Sequence, residues 1–76
     1  MTIADLKVNE KFRIKKINLK KDIGKRLADM GFTKGVTGIV VRSALLGDPI
    51  QVNILNYDVS IRKTEAKGIE IEKIEE

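Results

Sequence analysis

Short runs in which β-branched or aromatic residues alternate with polar ones recur along this chain of 76 residues, and they leave little choice of architecture. A side-chain period of two sends successive residues to opposite faces of a strand, so each such run buries one face and wets the other. Phe12 and Ile14 alternate with Lys11, Arg13 and Lys15, and Ile50, Val52 and Ile54 with Gln51 and Asn53. Tyr57, Val59 and Ile61 alternate with Asp58, Ser60 and Arg62, and Ile69 and Ile71 with Glu70 and Glu72. The run from Val36 to Ser43 is richer in Val and Ile and alternates less, as expected of the most central strand. Ile and Val number 17 against 6 Leu, a bias that suits pleated surfaces. Five short strands in a chain of this length predict a mainly β fold. A closed or nearly closed barrel is the expected form, because closure removes the edges that invite aggregation.

One segment departs from this period. Between Lys21 and Met30 the apolar residues Ile23, Leu27 and Met30 fall at i, i+4 and i+7, the stripe of a helix. Asp22 and Arg26 stand four apart in the favourable order for pairing. Gly31 suits the left-handed position just past a helix, and Phe32 then falls where a Schellman turn returns it onto Leu27. Gly47-Asp48-Pro49 marks a turn, Asn56 a tight hairpin with φ > 0, and residues 63–68 leave room for a single helical turn. At about half the usual length of a domain, residues 1–76 are expected to form one domain.

Absences narrow the function. With no Cys and no His, thiolate metal sites, Cys nucleophiles, the usual general base and the commonest metal ligand are all missing. Ser43, Ser60, Thr33, Thr37 and Thr64 therefore lack a His to activate them, and no enzyme activity, catalytic residue or cofactor is expected. The carboxylates Asp5, Glu10, Asp22, Asp29, Asp48, Asp58 and Glu65 and those of the tail to Glu76 are not spaced as in a Ca²⁺ loop. Glu70 and Glu72 share a strand face, which suits a solubilised edge better than a cation site, and no metal-ligating set is expected. Aliphatic runs such as Ile39-Val40-Val41 fall far short of a membrane helix, and the start carries no signal-peptide pattern, so a cytoplasmic location is expected.

Charge is uneven. Residues 1–34 hold ten basic and four acidic side chains, whereas residues 35–76 hold five and seven. Two function classes follow. A basic surface can bind nucleic acid, but single-strand binders add stacking aromatics, and of Phe12, Phe32 and Tyr57 the first two belong to the core pattern, so no nucleic-acid partner is expected. Alternatively, basic residues such as Lys25 and Arg26 on the helix steer an acidic protein partner. The segment Ala44-Leu45-Leu46-Gly47-Asp48-Pro49 bears on this choice, because two adjacent Leu stand where a polar loop is normal. Either they plug the end of the barrel or they are an exposed apolar contact for another protein. Self-association through symmetric contacts, giving a homo-oligomer, is a third reading.

Several segments together resemble a known family. They are Leu27-Ala28-Asp29-Met30-Gly31-Phe32-Thr33 with Gly35, then Leu46-Gly47-Asp48-Pro49-Ile50, then 57–63 with Glu65-Ala66, and the opening Ile3-Ala4-Asp5-Leu6. The chain resembles the FeoA family of ferrous-iron transport proteins over nearly its whole length. That resemblance implies an SH3-like small β-barrel of about five strands with one inserted α-helix. It also implies a cytoplasmic accessory or regulator in iron homeostasis, acting on a FeoB-type membrane ferrous-iron permease, and it brings a general transition-metal-binding label. Leu45 and Lys34 stand where the family often has Pro, and Asn56 where it often has Gly. The expected partner-binding residues are Leu45, Leu46, Gly47, Asp48 and Pro49, with Lys25 and Arg26 on the helix. The expected partner is the cytosolic part of the permease.

Overall fold

The computed structural model describes residues 1–75, and Glu76 of the acidic tail lies outside the described residues. Strand β1 spans Lys11–Ile17, helix α1 Lys21–Asp29, β2 Thr37–Ser43, β3 Ile50–Ile54, β4 Tyr57–Ile61, the one-turn helix α2 Lys63–Ala66 and β5 Ile69–Ile74. Two 3₁₀ turns, Ile3–Asp5 and Leu45–Gly47, complete the described elements. The strands form one antiparallel sheet in the order β4-β3-β2-β1-β5. The Val36–Ser43 run thus supplies the middle strand, as its composition predicts.

Of the closed and nearly closed forms expected, the sheet is not the closed one, because β4 and β5 stand at opposite ends of the order. The reason lies in the opening residues. The Ile71 N–H donates to the Met1 carbonyl at 2.9 Å, and Thr2 bridges Glu70, so the first two residues cover the edge of β5. Between the two outer strands runs α2, whose Ala66 is fully buried. This arrangement protects one edge without closing the sheet, and the other edge, β4, is only five residues long.

Alternation produces the core as expected. Phe12, Ile14, Val52, Ile54, Val59, Ile61, Ile69 and Ile71 are all buried, joined by Leu27, Phe32 and the N-terminal Ile3. Tyr57 departs from its run. It is half exposed, and its hydroxyl donates to the Met30 carbonyl at 2.9 Å, tying β4 to the end of α1.

The Schellman turn forms as the sequence predicts. The Phe32 N–H donates to the Leu27 carbonyl at 2.9 Å and the Gly31 N–H to that of Ala28 at 3.0 Å, with Gly31 at φ +104°. The β3–β4 hairpin differs by one residue. Strand β3 ends at Ile54, and both Leu55 (φ 50°) and Asn56 (φ 70°) occupy the two-residue turn, as a type I′ geometry requires.

One exposed cluster gives the fold a pH response. The Glu10 carboxylate accepts the Lys73 ammonium at 2.5 Å and the Lys7 N–H at 2.7 Å. The Lys73 bond first, and the Lys7 N–H second, hold Glu10 below its ordinary value of 4.5. A carboxylate depressed on folding stabilises the native state above its unfolded value, and that contribution is lost as pH falls through the lower folded value. Glu10→Gln should therefore lower the unfolding temperature at pH 7, and the difference should shrink as pH falls below 4.5. A difference that does not shrink with falling pH would show that the pair is not the cause.

Candidate partner-binding surface

Strand β2 runs out at Ser43, and the chain then makes a tight excursion before β3 begins at Ile50. The Ala44 N–H donates to the Pro49 carbonyl at 3.0 Å, and the Gly47 N–H to the Ala44 carbonyl at 2.8 Å. These two bonds pin both ends of the loop. Asp48 fastens it to the body, where its Oδ1 accepts the Lys63 N–H of α2 at 3.1 Å. This bond satisfies an otherwise unpartnered donor in the first turn of a helix, the service of an N-cap supplied from elsewhere in the chain. Asp48→Ala should cost about 1 kcal/mol of stability, measurable by denaturant unfolding, and Asp48→Asn should restore most of it.

Within this frame Leu45 and Leu46 project outward, 88% and 84% exposed, the most exposed large apolar residues described. Of the two open readings, the plug is thereby excluded. Leu46 sits at φ 63°, ψ 18°, a left-handed conformation that is rare for Leu. Gly47 follows at φ 75°. The loop thus presents two large side chains at an apex whose backbone is itself strained, and the core gains nothing from them.

The remaining predicted residues lie partly together. Pro49 and Arg26 line one shallow groove of about 230 Å³ with Met30, Arg62 and Glu65. Arg26 does not pair with Asp22 as its spacing suggests. Its Nη2 meets Oε2 of Glu65, which is 7% exposed. Glu65 Oε1 in turn accepts the Arg62 N–H at 3.0 Å. A buried carboxylate draws the nearest cation away from a solvated one. Lys25 is exposed.

A larger open groove, about 760 Å³, lies over β1, β2 and β3, lined by Lys11, Arg13, Ile39, Asn53, Leu55 and Ile74 among others. Sequence reasoning does not find it, since its members come from four strands and a turn, and only the sheet register brings them together.

The residues do not fit a resident transition metal. Among the described residues no group of three or more Asp, Glu, His or Cys could hold one. Several carboxylates are already engaged: Glu72 with Arg13 at 3.0 Å, Glu70 with Asn18, Glu10 with Lys73, Asp58 with Asn53 at 2.9 Å, and Asp48 and Glu65 as above. Among the described residues no helix is long and apolar enough to cross a membrane.

Residues 1–73 match the profile of the FeoA domain. Over 74 residues, 97% of this chain, it is 35% identical to a Porphyromonas gingivalis protein named Fe(2+) transport protein A/Fe(2+) transporter FeoB fusion protein. It spans 9% of that relative's length. The solution structure of a FeoA protein from Chlorobium tepidum superposes with a TM-score of 0.93 at 31% identity, covering 99% of this chain and 71% of that one. The FeoA of Stenotrophomonas maltophilia, in complex with zinc, gives a TM-score of 0.82 at 25% identity, covering 95% and 89%. That protein is described as a prokaryotic SH3 domain protein and put forward as a ferrous iron transport activating factor. An SH3-like, mainly β fold of five strands with one main helix is therefore the fold of this chain.

Proposed function

The chain belongs to the FeoA family, and from that premise we propose that it is a non-catalytic, cytoplasmic accessory of a FeoB-type ferrous-iron permease, with residues 1–76 working as one domain. Contact is made through Leu45, Leu46, Gly47, Asp48 and Pro49. The observation that carries this reading is the apex of that loop, where two adjacent leucines stand almost fully in water on a strained, firmly anchored turn. Apolar surface displayed in this way marks an interface. A relative whose name joins the transport protein and the transporter in one polypeptide supports the partner, because fusion keeps two associating units at high effective concentration.

In this reading the charge of Arg26 is balanced by Glu65, so Lys25 carries most of the steering on approach. The accessory alters transport by binding one conformational state of the permease more tightly than another, since a ligand shifts an equilibrium only by its difference in affinity. Titration of the purified chain against the intact permease tests the role. Saturable binding is expected, and its absence would remove the accessory function.

A further inference from the structure

Five lysines, Lys15, Lys16, Lys20, Lys21 and Lys25, lie within eleven residues at the junction of β1 and α1, and all five are exposed. Certain other cations of the chain are neutralised locally. Arg13, Arg26 and Lys73 each meet a carboxylate. None of the five lysines has such a partner among the described residues, although the sheet register places Lys16 opposite Glu70, whose carboxylate instead accepts from the Asn18 amide.

Two local features hold this charge outward at a cost. The β1–β5 ladder carries a bulge between Ile14 and Lys16. A strict period of two would turn Lys16 toward the core with Phe12 and Ile14, but the bulge leaves both Lys15 and Lys16 in solvent. Helix α1 then begins with Lys20 at its N-cap, without a side-chain cap, and Lys21 in its first position. Cations at the positive end of the helix dipole oppose its formation. The fold tolerates this repulsion, and an external anion would relieve it.

From this arrangement we infer that the lysine face rests on an anionic lipid surface. The surface chemistry selects that occupant over others. The two grooves described above are lined by none of these five lysines. No large apolar residue of the stretch 15–25 is exposed. Protein interfaces need buried apolar anchors and are depleted in Lys. Single-strand binders stack successive bases on several aromatics, whereas here Phe12 and Phe32 are fully buried and the one exposed ring, Tyr57, belongs to β4 and not to the stretch 15–25. A planar array of phosphate headgroups asks only for point charges on flexible stems, which lysines are. The inference rests on the reading that this chain works beside a membrane permease. It adds a second contact, distinct from the leucine loop, that would orient the chain at the bilayer.

Sedimentation with vesicles, in the absence of any permease, tests the contact separately from that reading. Vesicles of phosphatidylcholine with about one-third phosphatidylglycerol should bind the chain, and phosphatidylcholine alone should not. Binding should fall steeply as salt rises from about 0.05 to 0.3 M. Each Lys→Gln change should weaken binding about fivefold, and the set Lys15→Gln, Lys16→Gln, Lys20→Gln and Lys21→Gln more than about 100-fold. Lys25 is left in place so that permease binding remains an independent readout. Arg42→Gln removes the same charge as any one of these at the far end of β2, and should change binding less than about twofold. The fourfold variant should unfold at or above the wild-type temperature, because repulsion at the start of α1 is relieved. Four results would each overturn the proposal: no binding to anionic vesicles at low salt, equal binding to neutral ones, an Arg42→Gln loss as large as that of Lys15→Gln, or a fourfold variant of lowered stability. Tighter binding to duplex DNA or RNA than to vesicles at the same salt would assign the face to nucleic acid instead.

Discussion

Leu46→Asp is expected to weaken binding to the permease roughly 30-fold or more, the scale of an interface anchor, while leaving the unfolding temperature unchanged or slightly higher. The two halves of this result have different causes. Leu46 is 84% exposed, so the fold loses almost no apolar burial when the side chain is replaced. Its φ of 63° lies in the left-handed region, which Asp occupies more readily than Leu. In a complex the same leucine would bury an apolar side chain worth about 1.5–3 kcal/mol. A carboxylate there loses that burial and must also be stripped of water. Leu46→Asn separates these contributions, since it keeps the favourable backbone preference without the charge. It should retain stability and recover only part of the lost affinity. Isothermal titration of both variants against the permease, with thermal unfolding of each alone, provides the measurements. If Leu46→Asp binds as well as the wild type, the leucine apex is not the contact.

The second large effect concerns the fold, at the crossing of β1, β2 and β3. Gly38 pairs with Phe12 on one side and Ile54 on the other. A Cβ at Gly38 would lie 2.5 Å from Ile54 Cγ2, 2.8 Å from the Asn53 carbonyl oxygen and 2.8 Å from Phe12 Cζ. The carbonyl belongs to the backbone and cannot rotate away, so Gly38→Ala should cost about 1–3 kcal/mol through overpacking. Phe12 is fully buried, and Phe12→Ala should cost about 3–5 kcal/mol. A chain of this size has roughly 4–11 kcal/mol in total, at about 0.05–0.15 kcal/mol per residue, so Phe12→Ala alone removes a large share of it. The double variant should cost less than the two single losses added together, because removing the ring opens space beside the new methyl group. Strict additivity in urea unfolding would show that the ring and the Gly38 position do not share one packing site.

The strand assignments were legible because each rests on an interaction within a few residues. Alternation in 50–54 and 57–61 places Val52, Ile54, Val59 and Ile61 inward whatever the partner strands are. The Schellman turn at Gly31 needs only residues 27–32. Arg26 shows where such local reasoning fails. Its sequence neighbour Asp22 is solvated, while Glu65, 39 residues away, is buried and attracts it more strongly. The covered edge of β5 was illegible for the same reason, since Met1 and Thr2 reach residues 70 and 71 only after the sheet has formed.

From the residues alone came the class of fold, the family, the want of Cys and His, and the loop on which partner contact is proposed, because these depend on side-chain type and spacing along the chain. Whether Leu45 and Leu46 point inward or outward depends on the space left at the end of the sheet, and only the packed structure settles it, in favour of solvent. Placing Lys15 and Lys16 together on the surface likewise takes a bulge in the β1–β5 ladder. Period-two patterning states which face a residue prefers, but an inserted residue in a ladder is a property of two strands at once.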